Sequence, residues 1–248
     1  MAQQQGTDSR QASLHEALFS PVHVANAFEE TVERLLRAIK LGVVKPGERL
    51  PPERELAARL AVSRVTLREA MSELRRAGYV ESRRGRYGGT VVTSPTARPG
   101  RERFRRAAAE LESGMEDLLC VRHVVEVGAA EQAARRRPSS EEAARLRALL
   151  AESKSATSDD YRRLDSRLHL AIAEATGSAT LTTMAAGVRM RLNALLDAIP
   201  LLQLNIEHAN EQHEAIVDAI LGGDPAAARQ AMAEHLAGTA ALLRGFLA

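Results

Sequence analysis

Apolar residues recur at helical spacing through most of this chain and cluster as short strand-like runs in one place only. Phe28, Val32, Leu35, Leu36 and Ile39 share one helical face and predict a helix from Val24 to Leu41, closed by Gly42 and Pro46-Gly47. Pro51-Pro52 opens a shorter helix, Glu53 to Leu60, with Leu56 and Leu60 turned inward. After a short turn, Ser63 is placed as the N-cap of a helix from Arg64 to Ala77, whose inner stripe is Leu67, Ala70, Met71 and Leu74. Gly78 stands where a left-handed C-terminal residue belongs. Tyr79–Glu81 and Thr90–Thr93 read as two short strands around a tip rich in glycine and arginine.

Beyond Ser94–Gly100, a proline-containing stretch without apolar pattern, the periodicity is helical throughout. Helices are expected at about 114–137, 140–153, 159–176, 179–199, 203–222 and 225–247. Their ends are punctuated: Ser139 with Glu142 forms a capping box, Pro138 and Pro200 follow helix ends, Gly177 stops a helix, and Asp224-Pro225 starts one. Six amphipathic helices with short connections describe an antiparallel bundle. The fold class is therefore mostly α: an N-terminal winged helix-turn-helix followed by a C-terminal all-α antiparallel helix bundle. The expected division is a disordered tail over 1–20, a winged helix-turn-helix domain over 21–93, a linker over 94–106, and a helical domain over 107–248.

Charge separates the two halves. Residues 1–106 hold 20 Lys and Arg against 12 Asp and Glu, a balance of +8; the remaining 14 against 20 give −6. A basic first half suits a polyanion, because each cation placed on a phosphate releases a counterion. Aromatic residues make up only 3% of the chain, which argues against base stacking on aromatic platforms. Cys120 is the only cysteine, so no intramolecular disulfide forms, in keeping with a reducing cytoplasm. No apolar run approaches a membrane span and the first 20 residues lack a signal-peptide core.

The basic residues are placed for reading DNA. Arg64 and Arg68, four apart, share the outer face of the second helix of the pair, with Thr66 in the same turn. An arginine fork there reaches guanine O6 and N7 in the major groove. Arg54 is placed to clamp a phosphate. Arg83, Arg84 and Arg86 crowd the tip beside Gly85, Gly88 and Gly89, where glycine permits close backbone approach. Arg75 and Arg76 in the last turn are read as partners of the helix dipole. Lys45–Thr93 resembles the winged helix-turn-helix of GntR-family bacterial transcription regulators, matching at Pro46, Gly47, Leu50, Pro51, Glu53, Arg54, Leu56, Ala57, Val62, Ser63, Arg64, Thr66, Arg68, Ala70, Leu74, Gly78, Gly89, Thr90 and Val92. The resemblance implies that Arg54, Arg64 and Arg68 contact DNA and that the tip at Arg84-Gly85 enters the minor groove. The tip departs from the family pattern in carrying the bulky Tyr87.

A second constellation lies in the acidic half. Asp165 and His169 are spaced i, i+4 in one helix, and His213 and His235 lie in the last two; each sits on the apolar seam of its helix. Burying four such groups without partners is costly, and one metal ion satisfies them together. The donor set suits Zn, Ni, Mn or Fe rather than calcium. His123, near a seam without a partner, is read as a core residue; His15, His23 and His208 are read as surface. Residues 114–244 resemble the FCD effector domain of the FadR subfamily, whose pattern of Asp-x3-His followed by two histidines about 22 residues apart is met by Asp165, His169, His213 and His235. The resemblance implies a metal at the floor of a pocket for a small organic acid, with Arg122, Arg189 and Asn193 as candidate lining. Arg122 with Glu126 also reads as a plain i, i+4 helix pair.

The expected function is a ligand-responsive DNA-binding transcription regulator, a repressor by resemblance. It acts as a cytoplasmic, nucleoid-associated homodimer on an inverted-repeat operator in double-stranded DNA and senses a small carboxylate, with no membrane partner and no catalysis. The alternatives are a metalloenzyme domain fused to a DNA-binding domain, against which the absence of HExxH and Glu-x-x-His counts, and a purely structural metal.

Overall fold

The computed structural model describes residues 22, 24–41, 43–84, 89–93 and 114–247. The expected tail over 1–20, the linker over 94–106 and the wing residues 85–88 lie outside the described residues. The chain divides into two compact units, with breaks at Pro99/Gly100 and again at Ala237/Gly238.

In the first unit a short 3-10 turn, Val24–Asn26, leads into α1 (Ala27–Lys40). Helix α2 (Glu53–Leu60) and helix α3 (Arg64–Arg76) form the helix-turn-helix. Ala61 takes a left-handed conformation at the end of α2, and the Ser63 side chain accepts a hydrogen bond from the Thr66 backbone N–H at the start of α3. Leu56 and Leu60 of α2 and Leu67, Ala70, Met71 and Leu74 of α3 are buried with Phe28, Val32, Leu35 and Leu36 of α1, so the expected stripes form the core. Gly78 adopts φ +74°, which turns the chain into β1 (Val80–Arg83). It pairs antiparallel with β2 (Gly89–Val92) in the register Val80↔Val92 to Arg83↔Gly89. Periodicity did not reveal that the stretch before α2 also joins: Arg49 bridges Val91, and the Leu50 N–H donates to the Thr90 carbonyl at 2.9 Å.

The second unit contains α4 (Gly114–Arg136), α5 (Ser140–Lys154), α6 (Ser158–Glu174), α7 (Ala179–Leu196), α8 (Gln203–Gly222) and the first part of α9 (Pro225–Leu247). The Ser139–Glu142 capping box is present, and Asp224 Oδ1 accepts from the Ala226 and Ala227 N–H groups. Small residues let these helices approach closely: Ala130, Ala133 and Ala134 of α4 pack with Leu146, Leu168, Ile172, Ile216, Ile220 and Met232. His123, placed on a seam by its spacing, is instead exposed; its position in α4 falls outside the stripe formed by Leu118, Leu119, Val125 and Ala129.

Helix α9 continues beyond Ala237 into the first unit, whereas the sequence pattern assigned all of 107–248 to the bundle. Two glycines explain its fit. A Cβ on Gly238 would come within 2.7 Å of Asn26 Oδ1, and one on Gly245 within 2.8 Å of the Glu33 Cα. Phe246 then meets Tyr79 edge-to-face at 5.8 Å. Gly245→Ala is expected to destabilise the protein by about 1–3 kcal/mol through backbone overlap. Gly222→Ala, in an open position of the last turn of α8, is expected to stabilise it by about 0.5–1 kcal/mol. Denaturant unfolding of both variants checks the pair, and a stabilising Gly245→Ala would contradict the close approach.

Candidate metal centre and nucleic-acid interface

Three helices deliver four ligating atoms to one point in the bundle. Asp165 and His169 lie one turn apart on α6, His213 lies on α8 and His235 on α9, and all four are buried. Their ligating atoms fall within 4.8 Å of one another. The Nε2 atoms of His169 and His235 are 3.2 Å apart, those of His213 and His235 3.2 Å, and those of His213 and His169 3.3 Å. Asp165 Oδ1 is 3.4 Å from His213 Nε2 and 3.7 Å from His169 Nε2.

This triangle fits a transition metal. Nitrogens about 2.1 Å from one ion are about 3.0 Å apart in octahedral and about 3.4 Å apart in tetrahedral coordination. The three imidazoles have no comparably good arrangement among themselves, because a neutral ring offers each neighbour either a proton or a lone pair, not both. Burial holds His213 at a pKa of about 3 and His235 well below the usual range, so both rings are neutral, as ligation requires. Burial alone pushes the Asp165 carboxyl up, but the charges around it, Arg189 foremost, hold it well below the usual carboxylate range and keep the group ionised.

A shell of buried charge surrounds the ligands. His169 Nδ1 lies 2.9 Å from Glu126 Oε2 on α4, an arrangement that orients a ligating imidazole through its remote nitrogen. His235 Nδ1 lies 3.2 Å from Gln212 Oε1. Glu126 in turn accepts from Arg122 Nε at 3.3 Å. Arg189 of α7 bonds Asp165 directly and reaches within 3.8 Å of Glu126. Burial raises and the arginines together with His169 lower the Glu126 pKa, leaving it well below the ordinary carboxylate range. Of the three candidate lining residues, Arg122 and Arg189 thus join this shell. Asn193 is one step removed, its Nδ2 donating to Ser166 Oγ at 2.9 Å. Glu126 is the shell residue that spacing reduced to a helix pair; its signal was a carboxylate between Val125 and Val127 on a face otherwise lined with alanine.

The DNA candidates behave oppositely. Arg54, Arg64, Arg68 and Arg84 are exposed. Arg68 Nε pairs with Glu53 Oε2 at 3.1 Å, joining the starts of α2 and α3. Thr66, half-buried, shares a 2.8 Å hydrogen bond with Ser63 Oγ and so belongs to the cap. Gly85 lies outside the described residues. Val65, 62% exposed beside Arg64, is an apolar position on the same helix that motif reasoning passed over.

Comparison with known proteins matches both halves of the chain to family models. Residues 28–92 match the model for bacterial regulatory proteins of the gntR family, and residues 117–238 match the FCD domain. A protein of Escherichia coli (strain K12), provisionally named as the L-lactate dehydrogenase operon regulatory protein, is 31% identical over 84% of this chain and 83% of its own length. The HTH-type transcriptional regulator LutR of Bacillus subtilis (strain 168) is 29% identical over 84% of this chain and 97% of its own. A shorter match, 59% identical over 63 residues, covers 23% of RmpR from Mycobacterium gastri. These relatives are regulators, and none lends support to the metalloenzyme alternative.

His213→Ala is expected to abolish stoichiometric metal content by elemental analysis after loading and desalting. Glu126→Gln is expected to weaken metal affinity about 10–100-fold, read by competition with a chromogenic chelator. Full occupancy in the first variant would remove His213 from the ligand set.

Proposed function

Because the chain belongs to the GntR family of bacterial regulatory proteins, with an FCD domain behind its DNA-binding head, we propose that it is a metal-dependent, acid-responsive transcriptional repressor acting in the cytoplasm. The observation that carries the sensing half is the convergence of Asp165, His169, His213 and His235 on one buried point. When bound, a divalent transition metal supplies a Lewis-acidic anchor for a carboxylate. The chain's own residues orient the ligands through Glu126 and balance charge through Arg122 and Arg189. A small organic acid that prefers one of two states of the protein shifts its DNA affinity, with the sign of release. Among the described residues no helix is long and apolar enough to cross a membrane.

In the head, Arg64 and Arg68 are the proposed base readers, Arg54 and Arg84-Gly85 the phosphate and minor-groove contacts, and Thr66 a support of the helix start. Val65 offers an apolar surface for a thymine methyl group. Arg68 is tied to Glu53 only by a surface ion pair, worth about 0–1 kcal/mol, so it exchanges readily for DNA. We further propose a homodimer on an inverted repeat. Val121 and Val124 of α4 and Met184 and Met190 of α7 are exposed on two helices that pack against each other, and a second copy covering this face removes them from water.

Arg64→Ala is expected to weaken binding to an operator selected from random DNA by about 1–3 kcal/mol without changing the melting temperature; fluorescence anisotropy reads the first and calorimetry the second. Unchanged affinity would exclude Arg64 as a reader. Val124→Glu with Met190→Glu is expected to give a monomer by light scattering. A persistent dimer would place the interface elsewhere.

A further inference from the structure

Several buried polar atoms in the bundle have no hydrogen-bond partner among the described residues, and most of them are donors. Arg122 Nη1, Tyr161 Oη and Arg189 Nε lack acceptors. His213 Nδ1 lacks one too, and it carries the proton whenever Nε2 serves as ligand. On the acceptor side Glu126 Oε1 stands alone, 3.8 Å from Arg189 Nη1. Native interiors rarely leave donors unmatched in this way, and such a surplus marks the place of a missing acceptor.

The charges carry the same message. Arg122 and Arg189 balance Glu126 and Asp165, all four buried. A divalent ion on three neutral imidazoles then leaves the shell with two uncompensated positive charges. A monoanion neutralises one of them. A dianion neutralises both, and the low-polarity surroundings reward the closer match.

Position sets the length of the ligand. Tyr161, Asp165 and His169 follow one another at four-residue intervals on one face of α6, so the Tyr161 phenol stands on the turn before Asp165, about 6 Å along the axis. Burial raises the Tyr161 pKa, with Asp165 adding to the effect, so the hydroxyl stays protonated and able to donate. Tyr161 also packs with Ile206 and Ala209, an apolar wall suited to methylene groups.

We propose that the ligand is a short dicarboxylate, with one carboxylate on the metal side near Arg122 and the other accepting from the Tyr161 hydroxyl and Arg189 Nε. Two to three carbons between the carboxyl groups span about 4–6 Å, comparable to the one-turn rise that separates Tyr161 from Asp165 on α6. The proposal rests on the metal-centred reading above and makes Tyr161 a specificity-determining residue.

The test uses the full chain loaded with zinc and titrated calorimetrically with succinate, L-malate, L-lactate and acetate. Succinate or L-malate is expected to bind at least about tenfold tighter than L-lactate or acetate. Tyr161→Phe, which deletes only a buried unpartnered hydroxyl, is expected to reduce that preference about tenfold while leaving monocarboxylate binding unchanged. Metal-dependent binding of L-lactate as tight as any dicarboxylate, unaffected by Tyr161→Phe, would overturn the dicarboxylate while leaving the metal sensor intact. No binding of any acid, or binding undiminished after chelation, would overturn both.

Discussion

Four buried ligating groups that cannot satisfy one another are the constraint around which the bundle is organised. Three imidazole nitrogens 3.2–3.3 Å apart, with a carboxylate oxygen beside them, crowd metal-binding atoms together in the buried interior. A cation bound there would turn that arrangement from a liability into a staple joining α6, α8 and α9, each of which offers at least one ligating atom. The charged shell follows from the same constraint. Glu126 faces His169 because a ligating ring needs an acceptor behind it, and Arg122 and Arg189 face the carboxylates because buried carboxylates need cations.

The head uses charge in the opposite regime. Its arginines stand in water, where isolated pairs are weak and reversible, and their strength appears only when they displace counterions from a polyanion. What the protein core supplies is orientation. Buried Leu67, Met71 and Leu74 fix which face of α3 turns outward, and the Ser63 cap fixes where the helix begins. The pairing of the segment before α2 with β2 closes the small sheet and protects one edge of it.

Helix α9 serves both units with a single rod. His235 joins the other candidate ligands in one, and three residues later Gly238 lies against Asn26 in the other. The residue requirements change abruptly along it. A buried imidazole stands at His235, the least possible bulk at Gly238 and Gly245, and an aromatic edge at Phe246.

The element order, the caps and the four candidate ligands that converge in the bundle were legible in the sequence, because each rests on local spacing: a 3.6-residue period, a Ser three residues before its partner, an Asp four residues before a His. It likewise separated a basic head from an acidic tail. It did not disclose that Glu126 backs His169, that Arg68 is engaged with Glu53, that Arg49 bridges β2, or that the end of α9 leaves the bundle for α1. Those are contacts between residues 15 to more than 200 positions apart, fixed by packing rather than by period. His123 shows the same limit from the other side: its spacing admitted a seam position, and only the angular fit of α4 against its neighbours turned it to solvent.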